Sequence, residues 1–341
     1  MQRWFTRTLT LSLALGLSLM FISTAALAQY TGTILDTNLN GKGKQTDPLL
    51  VNAWGLAYAP GGPFWISDEG TGWSTLYDAS GNKQSLEVIV PKANGTGFGT
   101  PTGMVYQGSS EFQIDTWPSE FIFATLDGSI QGWSHFDPST TLVAVDNSGS
   151  NASYTGLAVT SKSSGNNLYA ANFNTGLVEM YDGNFNLVKT FTDTGVPKGF
   201  VPFGIQDIGG QLYVAFAAAD GGPGGVIDQF TEQGAFVKHV ATGTKLNQPW
   251  GIAMAPSNFG PLSNTLLVAN NTNTGTIVGF NPSTGAFVGT VSIGNKPVVI
   301  NQLWGIEFGG GNSSDGQTNQ LFLTAGPSNN TVGAFAVIQP K

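Results

Sequence analysis

The sequence predicts an all-β protein that folds as a six-bladed β-propeller with four-stranded blades. Three observations lead to this prediction: one short motif recurs six times, its copies lie about 50 residues apart, and no helical periodicity interrupts the strand pattern after residue 28. Internal repeats of this length are typical of propellers, in which each repeat forms one sheet of four strands. The chain of 341 residues is long enough to bury a sizeable core.

The recurring motif is an aromatic or hydroxyl residue, then Gly, then an apolar strand. Successive motif glycines are separated by 48, 53, 48, 47 and 54 residues. The six copies are Trp54-Gly55, Thr102-Gly103, Thr155-Gly156, Phe203-Gly204, Trp250-Gly251 and Trp304-Gly305. We expect the Gly to allow close backbone approach at the start of each inner strand. We expect the tryptophans to pack between blades, because Trp buries a large apolar area.

A second apolar run after each motif predicts the second strand of each blade. The runs are Phe64–Ser67, Phe121–Ala124, Leu168–Ala171, Leu212–Ala215, Leu266–Ala269 and Leu321–Thr324. Third runs end in turns rich in Asp, Asn and Gly, such as Tyr77–Gly81, which supply local hydrogen bonds and positive φ angles. Fourth runs, such as Leu187–Phe191, complete the sheets.

The sixth unit predicts how the ring closes. Its third strand, near Thr331–Val337, is followed by too few residues for a fourth. The segment Tyr30–Leu35 precedes the first unit and resembles Phe287–Val291, a fourth strand. We therefore expect the N-terminal strand to complete the last blade, which removes the exposed edges of an open ring. Residues 29–341 are predicted to form one domain.

The first 28 residues have the features of a signal peptide. Arg3 and Arg7 precede the apolar run Leu9–Ile22, and Ala26-Leu27-Ala28 forms a small-x-small cleavage site. The sequence thus predicts a secreted or periplasmic protein with no membrane span after cleavage. The chain contains no cysteine, which excludes thiol catalysis and thiolate metal sites.

The charge of the chain excludes several classes of partner. The formal net charge is −8 at pH 7, and removal of the two arginines makes it −10. Nucleic acid and anionic lipid would repel such a protein. The remaining partners are a small polar ligand, a protein or another component of the cell envelope, and we expect a monomer.

One segment also carries a resemblance. The stretch LVNAWGLAYAPGGPFWISDEGTGWSTLYDASG, Leu50–Gly81, resembles the first blade of a secreted bacterial propeller family, some members of which carry a C-terminal PEP-CTERM sorting tail. The resemblance covers the mature chain and implies a fold similar to the NHL and lactonase-like propellers. It implies no catalytic residues, and the chain differs from the family in ending at Ile338–Lys341 without an apolar tail.

Polar residues at matching places predict a metal site. Asp68, Asn172 and Asn270 each follow a second strand, and the loops after these strands lie on the same face as the links between blades. Glu307 is an acid on an inner strand. Carboxylate and amide oxygens suit calcium, so these four residues are candidate calcium ligands. Taken singly, the first three residues are better explained by turn formation, and Glu307 is better explained as a polar group bonded to water in the channel; the repeated matching positions favour the metal site.

A second polar set lies in the links between blades. These residues are Asn52, Asn247, Gln248, Asn301 and Gln302. Their amides suit a neutral polar ligand such as a sugar. The two histidines, His135 and His239, belong to different predicted blades and form neither a metal box nor a triad.

Two functional hypotheses follow. The first is an extracytoplasmic binding or interaction scaffold that uses the polar loop face. The second is a calcium-dependent lactone or ester hydrolase, in which the metal would polarise a carbonyl or activate water. No residue establishes catalysis, so the sequence leaves enzyme activity open.

Overall fold

The structure, a computed structural model, describes residues 30–160 and 165–341. These residues form six antiparallel four-stranded blades, the last of which also pairs with the short parallel strand Gln45–Thr46, so the predicted six-bladed propeller is confirmed. Each inner strand contacts the inner strand of the next blade, and the sixth contacts the first, which closes the ring. The predicted signal peptide lies outside the described residues.

The strands of each blade run in order from the axis outward. Blades 1 to 3 comprise Ala53–Tyr58, Phe64–Asp68, Trp73–Tyr77 and Lys83–Ile89; Pro101–Tyr106, Phe121–Thr125, Ser129–Trp133 and Leu142–Asp146; and Tyr154–Val159, Leu168–Asn172, Leu177–Tyr181 and Leu187–Phe191. Blades 4 to 6 comprise Phe200–Asp207, Gln211–Ala218, Val226–Thr231 and Phe236–Thr242; Pro249–Met254, Leu266–Asn270, Ile277–Phe280 and Phe287–Thr290; and Leu303–Phe308, Leu321–Ala325, Ala334–Pro340 and Tyr30–Thr37.

Several smaller elements lie outside the four-stranded blades. They are the strand Gln45–Thr46, the hairpins Gln113–Ile114 with Trp117–Pro118 and Ser292–Ile293 with Lys296–Pro297, the 3₁₀ turns Ser148–Ser150 and Gly260–Leu262, and the helical turn Pro327–Asn330. Among the described residues, no helix has the length and apolar character needed to cross a membrane.

The six motif glycines bring neighbouring inner strands into backbone contact. A Cβ on Gly55 would lie 2.9 Å from the backbone nitrogen of Met104, and a Cβ on Gly103 would lie 2.6 Å from that of Leu157. A Cβ on Gly204 would fall on the carbonyl oxygen of Trp250. These separations are too short for any side chain, which confirms the expectation of close approach and gives its cause.

The N-terminal strand completes blade 6 as predicted. Tyr30–Thr37 pairs antiparallel with Ala334–Pro340, from Tyr30 opposite Pro340 to Thr37 opposite Ala334, with one bulge at Ile34/Asp36. Side chains secure both ends, because the Tyr30 hydroxyl donates to the Phe259 carbonyl over 2.9 Å and the Thr37 hydroxyl donates to the Gly333 carbonyl over 2.7 Å. The third strand extends three residues beyond its predicted end at Val337, because this partner continues the ladder.

Hydrophobic clusters fill the spaces between adjacent blades. At the junction of blades 1 and 6, the ring of Phe64 packs 4.3 Å from Phe322 and 5.6 Å from Phe335, measured between centroids. All three rings are fully buried. Apolar burial contributes about 25 cal/mol per Å², so these interfaces hold the blades together without any disulfide.

The six motif glycines surround the axis, and we call them the glycine ring. Their close packing leads to a first prediction. Gly204→Ala should lower the free energy of unfolding by about 1–3 kcal/mol, because the added methyl group meets backbone rather than a movable side chain. Chemical denaturation measures the change. Gly149→Ala is the matched control, because a Cβ there has no neighbour within 4 Å, and its effect should stay within about 0.5 kcal/mol. Equal effects of the two substitutions would contradict the steric explanation.

Candidate functional site

The loop-face end of the central channel is closed by an aromatic cluster. Trp54, Phe203, Trp250 and Trp304, each the residue before a motif glycine, meet there. The rings of Trp54 and Trp304 stack with centroids 3.5 Å apart, and Trp250 lies edge-on to both at 6.0 and 5.7 Å. These side chains come from four different blades and pack against one another on the axis.

Hydrogen bonds fix two of the indoles. Nε1 of Trp250 donates to the carbonyl of Thr155 over 3.0 Å, and Nε1 of Trp304 donates to Oδ1 of Asn52 over 3.1 Å. The cluster is buried and anchored, so a ligand on this face has to bind beside the axis.

Three of the residues predicted to bind metal are bonded to other residues of the protein. Asp68, Asn172 and Asn270 end second strands and are buried. Asp68 accepts a 2.7 Å bond from the hydroxyl of Thr75, while Asn172 donates to Glu179 over 2.7 Å. The carboxyl pKa of Asp68 is raised well above its usual range by burial, partly offset by this hydroxyl.

Asn270 completes this pattern. Its Nδ2 donates to the carbonyl of Lys245 over 3.0 Å, and its Oδ1 accepts the backbone N–H of Asn247 over 2.9 Å. The amide therefore ties the link between blades 4 and 5 to the end of a strand. Asn172 holds the link before blade 3 in the same way, because its Oδ1 accepts the backbone N–H of Ser153 over 3.2 Å, whereas Asp68 bonds to a strand residue.

Glu307 lies at the other end of the channel. Asp68, Asn172 and Asn270 pair with the first residues of inner strands, whereas Glu307 is the second-last residue of its inner strand. At about 3.3 Å per residue, Leu303 and Glu307 are roughly 13 Å apart along the strand. The structure does not bring the four predicted ligands together, because a single ion would need ligands on both sides of the glycine ring.

The cavity around Glu307 has its own chemistry. It has a volume of about 310 Å³, and its lining includes Tyr58, Gln206 and Asp207. Burial raises the pKa of Glu307 to about 7, and the backbone N–H of Phe308 lowers it in part. A carboxyl group that titrates near neutrality can exchange protons at physiological pH.

A second, larger polar site lies on the loop face beside the aromatic cluster. We call it the polar cleft; it has a volume of about 530 Å³ and is bounded by loops of blades 4, 5 and 6. Its lining residues are Gly221, Pro223, Asn247, Gln248, Asn271, Thr272, Asn273, Thr274 and Gln302. Three of the five residues predicted to bind a polar ligand, Asn247, Gln248 and Gln302, therefore line one cleft.

The other two predicted ligand-binding residues lie apart from this lining. Asn301 supports the cleft from the side, because its Nδ2 donates to the carbonyl of Asn273 over 3.1 Å. Asn52 belongs to blade 1 and is buried, where it donates to Glu69 over 2.5 Å and accepts from Trp304. Sequence position alone did not separate Asn52 from the cleft residues.

Backbone geometry orients the cleft amides. Gln248 and Gln302 have φ angles of 51° and 50°, in the left-handed region that non-glycine residues seldom adopt. Nε2 of Gln248 donates to the carbonyl of Gly222 over 2.7 Å, and Nε2 of Gln302 donates to Oδ1 of Asn273 over 3.0 Å. Within residues 30–160 and 165–341, no hydrogen bond engages the side-chain oxygens of these two glutamines, which leaves them as acceptors.

Sequence reasoning missed one cluster of titratable residues. Asp193, Asp228 and His239 lie with one donor atom of each within 4.8 Å of one another, at the junction of blades 3 and 4. Burial raises the pKa of Asp228 to about 7, His239 lowers it, and the carboxylate of Asp193 raises it again. The residues are far apart in sequence; the one usable signal was an acid in the middle of a third strand, facing a histidine in the fourth.

Comparison with known proteins finds relatives in a virus. An uncharacterised protein of Acanthamoeba polyphaga mimivirus is 29% identical over 328 residues, which cover 89% of this chain and 78% of that protein. Another from the same virus is 35% identical over 168 residues, 45% of this chain, and the match spans only 31% of that protein's length. No protein-family model matches the chain. The predicted membership of a bacterial PEP-CTERM family is therefore wrong: the relatives found are viral.

Solved structures with similar folds include several enzymes. A gluconolactonase from Xanthomonas campestris superposes with a TM-score of 0.58 at 12% identity, covering 94% of this chain and 93% of that one. A streptogramin B lyase gives 0.53 at 14% identity, covering 92% of this chain and 98% of that one. At these identities the likeness establishes the propeller fold alone.

The raised pKa of Glu307 predicts how stability depends on pH. Between pH 4.5 and about 7 the folded protein retains a proton that the unfolded chain releases, so stability should fall as pH rises through this window. Glu307→Gln removes the ionisation and should stabilise the protein at pH 8 by about 1–3 kcal/mol, with little effect at pH 4. Denaturant titrations at both pH values measure this change.

The exposed carboxylate of Asp137 provides the control. Asp137→Asn also removes one negative charge, and as a surface substitution it should change the free energy of unfolding by no more than about 0.5 kcal/mol. The account of Glu307 would be contradicted if Glu307→Gln destabilised the protein equally at both pH values.

Proposed function

We propose that this protein is a ligand-binding propeller that holds a neutral, hydroxyl-rich molecule, such as a sugar, in the polar cleft. The observation that carries the proposal is the grouping of five residues with side-chain amides along one cleft, in the loop of blade 5 and in the links on either side of that blade. Amides can both donate and accept hydrogen bonds, so they match hydroxyl groups, which do the same.

The shape of the cleft supports this proposal. Its volume of about 530 Å³ falls within the range of small-molecule sites, about 300–1,000 Å³. Its walls are the loop after the second strand of blade 4, the link that contains Gln248, the loop Asn271–Thr274 and the link that contains Gln302. Loops on a rigid scaffold are the usual location of binding residues.

The internal hydrogen bonds of the cleft also favour a small polar ligand. The bonds from Gln248 to Gly222 and from Gln302 to Asn273 fix the amide planes before a ligand arrives. Binding to preorganised groups avoids part of the entropic cost of ordering side chains. The net negative charge of the chain favours a neutral ligand over an anionic one.

The proposed setting is extracytoplasmic. The support is the sequence of residues 1–28, which has the charge pattern, apolar run and small-residue site of an export signal. The absence of cysteine does not conflict with this setting, because packing between blades stabilises the ring.

Binding can be tested by calorimetry with neutral trisaccharides such as maltotriose, cellotriose and chitotriose. We expect at least one of them to bind, and Asn273→Ala combined with Gln302→Ala should weaken its affinity about 10- to 100-fold, because each lost hydrogen bond is worth about 0.5–1.5 kcal/mol. The trisaccharide that binds defines the probe for all variants.

Asn281→Ala is the matched control for this experiment. Asn281 follows the third strand of blade 5, at the opposite end from Asn273, and its Oδ1 accepts the backbone N–H of Ser283. Affinity should be unchanged in this variant. Absence of binding by every trisaccharide, or equal binding by the double variant, would remove the cleft as a saccharide site.

Ester or lactone hydrolysis is a second candidate function, supported by Glu307 alone. Its pKa near 7 and its position in a cavity of about 310 Å³ suit a general base. Assays with δ-gluconolactone and aryl esters test this candidate. Loss of activity in Glu307→Gln with activity retained in the cleft double variant would place catalysis at the opposite end of the channel, whereas no activity in the wild type would reject it.

A further inference from the structure

Three residues that neither functional site uses meet at the junction of blades 3 and 4. Asp228 lies in the third strand of blade 4, and His239 lies opposite it in the fourth strand. Asp193 follows the last strand of blade 3, in the connection to blade 4. The group therefore spans two blades.

The possible ligand atoms of the group lie within 4.8 Å of one another, and a hydrogen bond joins His239 to Asp228. Nδ1 of His239 lies 2.7 Å from Oδ1 of Asp228 and 3.6 Å from Oδ2 of Asp193. Two ligands bound to one zinc ion at about 2.0–2.1 Å with tetrahedral angles lie about 3.3 Å apart. The two observed separations fall on either side of this value, so small side-chain movements would suffice to accommodate an ion.

Two oxygens of the group lack the partners that their burial requires. Asp228 has no exposed surface, yet its Oδ2 has no hydrogen-bond partner among the described residues. Oδ2 of Asp193 is also buried and accepts no hydrogen bond from a nitrogen in that same part of the chain; its neighbour is the carboxyl group of Asp228. A buried carboxylate oxygen without a donor or a cation is costly.

In the neighbouring blade 3, the carboxylate at the position that matches Asp228 has a hydrogen-bond partner for each of its oxygens. Glu179 is the third residue of its strand in blade 3, as Asp228 is in blade 4. Oε1 of Glu179 accepts from Asn172 over 2.7 Å, and Oε2 accepts from the hydroxyls of Tyr154 and Tyr181 over 2.6 and 2.5 Å. In blade 4 the positions that match these donors hold Phe216, Pro202 and Phe230, and Asp228 instead faces a second carboxylate and an imidazole.

We propose that Asp193, Asp228 and His239 bind one divalent cation of the zinc type, which links blade 3 to blade 4. The donor set selects the class of ion: an imidazole nitrogen suits zinc and neighbouring transition metals, whereas calcium prefers an all-oxygen shell. The bond from the backbone N–H of Gly195 to Oδ1 of Asp193, 2.8 Å long, would orient that ligand in the manner of an outer-shell contact.

The site would retain an open coordination position. Three protein ligands leave a four-coordinate zinc with one position for water or a ligand atom. His239 is partly exposed and lines a pocket of about 560 Å³ together with Val196, Phe200 and Leu246. This pocket shares Pro223 and Asn247 with the polar cleft, but the metal site does not depend on the cleft's function.

Metal analysis of untagged protein tests the proposal. After removal of metal with a chelator and dialysis against Zn²⁺, we expect about one zinc per chain and a melting temperature raised by about 5 °C at Zn²⁺ about 100-fold above its Kd. His239→Gln and Asp193→Asn should each weaken Zn²⁺ binding about 10- to 100-fold or more. Co²⁺ should give visible absorption bands that the same substitutions abolish.

The chain provides a matched control in its other histidine. His135 is exposed and pairs with Glu120, and among the described residues it belongs to no group of three possible metal ligands. His135→Gln should therefore retain full zinc binding and the Co²⁺ bands. Asp193→Asn alters a loop residue outside the strands, so it decides the question if His239→Gln fails to fold. No stoichiometric zinc in the wild type, or equal zinc in the wild type and Asp193→Asn, would overturn the proposal.

Discussion

The close backbone approach at six glycines is the constraint on which the rest of this structure depends. Because no Cβ stands between neighbouring inner strands, each strand packs directly against the next around the axis. In four of the six blades the residue before the glycine is aromatic and joins the cluster on the loop face, and the residue two places after the glycine lies on the other side. This geometry generates both the aromatic cluster and the cavity at Glu307.

The ring also determines where ligands can bind. Aromatic side chains from four blades fill the axis on the loop face, so the accessible space on that face lies to the side, between blades 4, 5 and 6. Loop length helps to place this space beside blades 4 and 5. Blade 4 supplies the glycine-rich stretch Gly221–Gly225, and blade 5 supplies Asn271–Thr274. The polar cleft is thus a consequence of closing the channel and lengthening the loops beside it.

The architecture could be predicted from the sequence because it repeats, and the site could not because it does not repeat. The spacing of the motif glycines predicted six blades, and the strand at Tyr30, which belongs to no repeat, predicted how the ring closes. Both predictions use the pattern of the whole chain. The same logic misled at Asp68, Asn172 and Asn270, which are buried at the ends of second strands and bond to neighbouring strands and links. The group of Asp193, Asp228 and His239 arises between two blades and follows no period. The resemblance at Leu50–Gly81 did not identify the family of the chain, because the relatives found are viral and not bacterial.

The central claim is that this propeller binds its ligand in the cleft beside a closed axis. Hydrogen–deuterium exchange with and without a bound trisaccharide tests it most directly. We predict slowed exchange in residues 219–225, 271–276 and 299–303, with no change in residues 204–208 and 305–309. Protection confined to the segments around Gln206 and Glu307 would contradict the claim and move the binding site to the opposite end of the channel.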